Sequence, residues 1–228
     1  MNSDIFATKG TEYLIVIAYL MAMAWAVRWF ASRPIAGAAA SGARRRVGRP
    51  VPWFALAEGY HFHPGHAWAA PGDGDIVTVG LDDFAAKLVG APDGFELPAV
   101  GTGVRQGEPG WAVRAGDRAL TMLSPMEGQV VAVNPAVLET PQLAADDPYG
   151  QGWLLKVRAP NRKASLKNLF SGELASVWMQ HTADRLQRMP AAGLGIVMAD
   201  GGMPVHGFGR ALGPEEWQAV AREFFLTG

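Results

Sequence analysis

The chain has no cysteine among its 228 residues. That removes disulfides, thiolate catalysis, iron–sulfur ligation and cysteine-based zinc sites together, and leaves the redox compartment open. Lysine is almost as scarce: Lys9, Lys87, Lys156, Lys163 and Lys167 are the whole set. Charged residues make up 18% against 49% hydrophobic, and the formal net charge of −1 excludes a general nucleic-acid binder, whose domain would be basic. No G-x-S-x-G, G-x-G-x-x-G or Walker loop occurs, and "GTGVRQG" (101–107) reads as a turn. The carboxylate pairs Asp82/Asp83 and Asp146/Asp147 are merely adjacent in sequence, and the first suits a helix cap better than acid–base work. No catalytic residue is assigned, and the chain is not expected to be an enzyme.

What is present begins with an apolar run. Residues 13–27 carry no charge, and counting through Ala31 gives a helix of roughly 28 Å at about 1.5 Å per residue, enough to span a bilayer core. Tyr13 sits near one boundary, and Trp25, Trp29 and Phe30 near the other, with Arg28 and Glu12 placed to snorkel. Residues 1–31 are therefore expected to be a transmembrane anchor. A cleavable signal peptide competes, but it would place its positive charge before the run. Here Asp4 and Glu12 outnumber Lys9 before it, and Arg28, Arg33, Arg44, Arg45, Arg46 and Arg49 all follow. The positive-inside rule then predicts a single-pass inner-membrane protein, N-terminus outside and soluble part cytoplasmic. Residues 32–57, rich in Arg, Ala, Gly and Pro, read as a linker. Its arginines are either a tether to anionic lipid or a topology signal only.

From 58 to 172 short apolar segments alternate with turn signals. "DIVTVGL" (75–81), "GFELPAVG" (94–101, broken by Pro98), "GQVVAVN" (128–134) and "GWLLKVRAP" (152–160) read as strands. "AVRAGDRALTML" (112–123) reads as a hairpin about Ala115-Gly116-Asp117. "DDFAAKLVG" (82–90) reads as a short helix capped by Asp82 or Asp83 and stopped by Gly90. The sum predicts a mainly β sandwich or barrel with one small helix.

"YHFHPGHAWA", "VTVGLDDFAAKLVG", "FELPAVG", "LSPMEGQVVAVNPAVLETPQL", "DDPYGQGWLLKVR" and "NLFSG" occur in the order and spacing of the glycine cleavage system H protein. The chain resembles that family over 60–172. The resemblance implies a barrel-sandwich hybrid fold of the lipoyl/biotinyl-carrier type, and a family task of presenting a lipoyl-lysine arm to partner enzymes. In the family the lysine precedes the serine of the "SP" pair by seven positions, which here is Asp117. No lysine lies anywhere in 105–127, so a lipoyl cofactor at the family position is not expected. His61, His63 and His66 form H-x-H-x-x-H, a possible metal set. The family's use of this segment as first strand and turn favours a structural role, and no metal is expected.

Residues 173–228 are expected to add a small α+β piece. "GELASVWMQHTADRLQRM" (172–189) reads as a helix after Ser171, with Leu174, Val177, Trp178, His181 and Leu186 near one stripe. "GLGIVMADGGMPVHGF" (193–208) reads as a hairpin, and "GPEEWQAVAREFFL" (213–226) as a second helix. That helix starts at Pro214 with Glu215 and Glu216 in its first turn, and its face is Trp217, Val220, Ala221, Phe224 and Phe225. Either this piece packs back on the β domain, or its aromatics form a docking platform. Candidate docking residues are Arg114, Arg118, Trp178, Trp217, Phe224 and Phe225. The leading expectation is a non-catalytic, membrane-tethered H-protein-like accessory subunit. Its partners would be a lipid bilayer and the subunits of a membrane complex, of the respiratory or photosynthetic electron-transfer kind. The alternatives are a lipoyl carrier modified at another lysine, Lys87 foremost, or an assembly factor that binds the lipoyl group non-covalently.

Overall fold

The computed structural model describes residues 18–23, 53–189 and 206–227. The chain divides into two units, Met1–Ala43 and Arg44–Gly228. In the first, residues 18–23 are helical, and Tyr19, Leu20, Met21 and Met23 are exposed. Among the described residues no helix is long and apolar enough to cross a membrane. The anchor positions Tyr13, Trp25, Arg28, Trp29 and Phe30 lie outside the described residues. So do the linker arginines and most of the hairpin expected at 193–208.

In the second unit, strands form where β-branched and aromatic residues lie between turn residues. They are β1 (His61–Phe62), β2 (Ala67–Pro71), β3 (Ile76–Leu81), β4 (Gly94–Glu96) and β5 (Gly103–Val104). Further along come β6 (Pro109–Ala115), β7 (Arg118–Leu123), β8 (Gly128–Val133), β9 (Leu155–Arg158) and β10 (Phe170–Ser171). A seven-stranded sheet runs β10-β1-β2-β3-β9-β8-β5, a three-stranded sheet runs β4-β6-β7, and every pairing is antiparallel. Register follows burial: Val77 pairs with Val157 and Val79 with Leu155, all four buried. Slipping either strand by one residue would turn these side chains to water, which fixes the pairing. β4 stops at Glu96, two residues short of Pro98.

The first helix, α1 (Asp83–Val89), is capped as its sequence predicts. The Asp82 carboxylate accepts from the Ala85 amide at 2.9 Å, and Gly90 ends the helix at φ +74°. Gly90 has a second reason to lack a side chain, since a Cβ there would lie 2.5 Å from the Cα of Gly207. The expectation of one small helix is too low. α2 (Pro135–Glu139), α3 (Leu143–Asp146) and α4 (Arg162–Lys167) also form, as single turns that tertiary packing holds. Asn134 caps α2 and also donates to the carbonyls of Gln151 and Trp153, binding that turn to the chain ahead of β9.

α5 (Gly172–Arg188) follows Ser171, whose side chain makes no capping bond. Its inward stripe differs from the one expected: Ala175, Met179, Thr182, Ala183 and Leu186 are buried, while Leu174 and Val177 are exposed. The large Trp178 sets this rotation. Its ring stacks on Phe170 at 5.3 Å and tilts over His66 at 4.9 Å, half-buried at the edge of the stripe. A 3-10 turn at Phe208–Ala211 leads into α6 (Pro214–Phe225), where Pro214 and the Glu216 carboxylate, accepting from the Gly213 amide at 2.6 Å, form the first turn. Trp217, Val220, Phe224 and Phe225 are buried there, so the extension packs back on the β domain.

Candidate functional site

The β6–β7 hairpin is the place where the resemblance leads one to expect a carrier arm. Ala115 pairs with Arg118, leaving a two-residue turn of Gly116 and Asp117. Gly116 takes φ +64°, a positive value at the first central position, as a type II′ turn requires of glycine. Its amide donates to the Asp93 carboxylate. Asp117 is exposed at the tip. The expected location of the tip is therefore what the structure shows, and it offers a carboxylate where an acylated arm needs an amine.

The residues beside the tip are occupied within the chain. Arg114 forks onto the Glu96 carboxylate across the β4–β6 pair. Arg118 reaches the C-terminal segment: its guanidinium donates to the carbonyls of Gly209 (2.6 Å) and Leu212 (2.5 Å) and lies 5.2 Å from the Trp217 ring centre. Arg210 donates to the Ala91 carbonyl, the Gly207 amide to the Lys87 carbonyl, and Thr227 to the Thr121 carbonyl on β7. A cleft of about 330 Å³ results, lined by Asp93, Ala115, Gly116, Asp117, Arg118 and Arg210. Sequence reasoning missed Asp93 and Arg210, because nothing local ties either residue to the hairpin.

The four described lysines differ sharply in availability. Lys87 donates at 2.8 Å to both the Trp53 carbonyl and the Asp83 carboxylate, sits over Phe54, and has only 12% of its side chain exposed. An acyl chain there could not swing, so Lys87 is a poor carrier position. Lys156 lies over Trp153, while Lys163 and Lys167 are exposed on α4. None of these is on the hairpin.

The aromatic docking candidates are largely buried. Trp217 is 9% exposed, Phe224 2% and Phe225 0%, and Trp178 is half-buried. Trp178, Phe224 and Phe225 instead surround His66, whose ring stacks on Phe84 at 4.1 Å and lies 5.5 Å from Phe225. His66 Nδ1 and the Asp82 carboxylate are 2.8 Å apart with both groups buried, and His66 takes φ +62° to reach that position. His63 Nδ1 accepts from the Gly65 amide at 3.0 Å. Burial, helped by the nearby His66, pushes the His63 pKa down to about 4. Burial also lowers that of His61. Among the described residues no group of three or more His, Cys, Asp or Glu could hold a metal ion. His66 is the hub of the joint between the β domain, α5 and α6.

Comparison with known proteins places this architecture. The family model described as Glycine cleavage H-protein matches residues 60–182. The glycine cleavage system H protein of Carboxydothermus hydrogenoformans is 41% identical over 108 residues, covering 47% of this chain and 82% of that protein. Its counterpart from Thermus thermophilus is 38% identical over 108 residues, covering 47% and 83%. A crystal structure of the H protein from Mycobacterium marinum aligns with 28% identity and a TM-score of 0.49, covering 56% of this chain and 99% of that one. All three are named glycine cleavage system H proteins, which does not support the expected role as an accessory subunit of a membrane complex. On the extent of the sequence match, the chain belongs to the glycine cleavage H-protein family.

Proposed function

We propose that this chain is a non-catalytic docking subunit of the H-protein class whose hairpin has lost the arm and become a fixed part of the body. The observation that carries the reading is the tip itself. Asp117 occupies the turn, no lysine lies between 105 and 127, and the neighbouring Arg118 is tied to two carbonyls of the C-terminal segment. A tip that must enter a partner's active site needs a free amine and a mobile chain; this one has neither. The lipoyl group therefore does not fit this hairpin, and no chemistry is assigned through it. The apolar run at 13–31 supplies the second half of the proposal, a membrane tether with the domain on the arginine-rich side. The partner is then a membrane-associated protein complex. An electron-transfer complex is one such setting, and an enzyme system of the glycine-cleavage type is the one the relatives' name favours.

The specific observation in favour of a second reading, a lipoyl carrier, is 41% identity to a named H protein over most of that protein's length. In that case the acceptor is Lys163 or Lys167, the two exposed amines among the described residues, and not Lys87. One preparation decides between the readings. The native chain is extracted in mild detergent, its intact mass is measured, and its co-purifying proteins are quantified. An unmodified mass with a stoichiometric partner supports the docking subunit. A mass increase of lipoyl size on a lysine overturns it in favour of the carrier, and recovery as a lone unmodified monomer overturns both.

A further inference from the structure

Charge is unevenly placed along the folded domain. From 53 to 147 there are thirteen carboxylates against four cations. From 148 to 172 there are five cations, Lys156, Arg158, Arg162, Lys163 and Lys167, and no carboxylate at all. Arg162, Lys163 and Lys167 line one depression, and Lys156 and Arg158 precede them on β9. Lys156 and Arg158 alternate with buried Leu155 and Val157, so both face outward from β9, which runs directly into α4. On α4, Lys163 and Lys167 are four residues apart and share one helical face. The β2–β3 turn brings acids beside these cations: Asp75, 3.9 Å from Arg158 in a half-exposed pair, and Asp73 two residues earlier.

The surface is shaped as well as charged. A depression of about 810 Å³ lies between the β2–β3 turn and α4, lined among others by Asn161, Arg162, Lys163, Lys167 and Asn168. Its walls are held in place. Arg162 donates to the Gly72 carbonyl, closing the depression on the β2–β3 side. Gln106 donates to the Pro125 and Ser165 carbonyls and accepts from the Asn168 amide, pinning α4 to the loop ahead of β6. Lys163 and Lys167 therefore project from a short helix that is already ordered.

We infer that this belt is a docking surface for a short acidic segment of a protein partner. Screening limits the reach of exposed charge to about 8–10 Å at ordinary ionic strength, so only a ligand confined to the belt feels its attraction undiluted. An extended polyanion such as a bilayer or a nucleic acid would also face the strongly acidic remainder of the domain. A concave surface likewise favours a protruding acidic segment over a flat sheet of headgroups. The belt lies on the seven-stranded sheet and the hairpin on the three-stranded one, so this inference does not depend on the hairpin tip; it rests on the docking-subunit reading, in which Lys163 and Lys167 are unmodified.

The test uses the full chain in neutral detergent and a fluorescein-labelled oligo-glutamate peptide as probe, read by anisotropy across a salt series. The expected result is salt-sensitive binding that Lys163→Glu with Lys167→Glu weakens at least tenfold and Lys163→Arg with Lys167→Arg preserves. Arg188→Glu with Arg222→Glu, the same charge change at two exposed positions on α5 and α6, should leave it unchanged. Equal loss in that second pair would mean that overall charge alone is being read, and would overturn the proposal. So would absence of peptide binding at low salt. Binding to phosphatidylglycerol vesicles, but not to the peptide, with the same dependence on Lys163 and Lys167 would overturn it in favour of a lipid-facing surface. Thermal unfolding of each variant by circular dichroism separates lost binding from lost fold.

Discussion

Two of the attachments that hold the C-terminal segment to the β domain work by opposite means. At the hairpin, the partly exposed Arg118 grips two carbonyls and the face of Trp217. Around His66, a seat of Phe84, Trp178, Phe224 and Phe225 contains one buried polar pair, His66 with Asp82. Burial of apolar surface is worth roughly 1.5–3 kcal/mol per large side chain, whereas a hydrogen bond nets about 0.5–1.5 kcal/mol because water competes for both partners. The seat therefore carries the attachment, and the latch sets where the segment lies relative to the tip. Stability and site geometry are in this way assigned to different residues, which makes them separable by mutation.

The largest expected effect breaks the seat. Phe225→Ala removes a fully buried ring beside His66 and should cost about 3–5 kcal/mol in chemical denaturation, including the cavity left behind. If the latch were the main attachment, the cost would fall below about 1 kcal/mol, the level of an exposed position.

Acid should weaken the same region. His63 titrates near pH 4 in the folded protein against about 6.5 in the unfolded chain, so between those values the unfolded state binds more protons. Its contribution is complete above about pH 6.5 and declines as pH falls towards 4. The loss is at most on the order of 3 kcal/mol across that window. His63→Gln should flatten this part of the stability–pH curve measured by urea titration. An unchanged slope would show that the His63 environment is open to water.

Much of this contrast was legible in the sequence, and the illegible part has a physical cause. The Asp82 cap, the Gly90 stop, the break before Pro98 and the turn at Gly116-Asp117 are set by backbone sterics and local hydrogen bonds, which neighbours in sequence determine. The apolar face of α6 was readable because its aromatics repeat at helical spacing. The α5 stripe was not, because its rotation is set by Trp178 stacking on Phe170 and His66, contacts made in tertiary space. The latch was hidden for the same reason: Arg118 and its acceptors are 91 and 94 residues apart in sequence. Aromatic residues on a terminal helix suggested a docking platform, and the seat beneath them could be seen only once the fold was known.

The latch yields a smaller effect than the seat. Arg118→Ala should cost about 1.5–3 kcal/mol, since a charged donor to the carbonyls of two buried residues, Gly209 and Leu212, is lost. Its clearer signature is local. Amide hydrogen exchange over 207–213 and 115–118 should accelerate, while the region around His66 keeps its protection. If protection were lost equally in both regions, latch and seat would form one cooperative unit and the separation drawn above would be wrong.

The smallest effect on stability falls at the tip, where it says most about function. Asp117→Lys changes an exposed side chain at the second turn position, where Gly116 alone takes the positive φ, so stability should stay within about 0.5 kcal/mol. The substitution supplies the one chemical group that the hairpin lacks. Incubation with a lipoate ligase, lipoate and ATP, followed by intact-mass measurement, then asks whether the hairpin is still shaped for recognition. A lipoyl-sized mass gain on Asp117→Lys, absent from the parent chain, would mean that losing the amine alone ended the carrier role at this hairpin. No gain on that variant, but a gain when Arg118→Ala is added, would mean that the C-terminal segment closes the tip to the ligase. Failure of both would show that the hairpin's shape, and not only its residue, has left the carrier pattern.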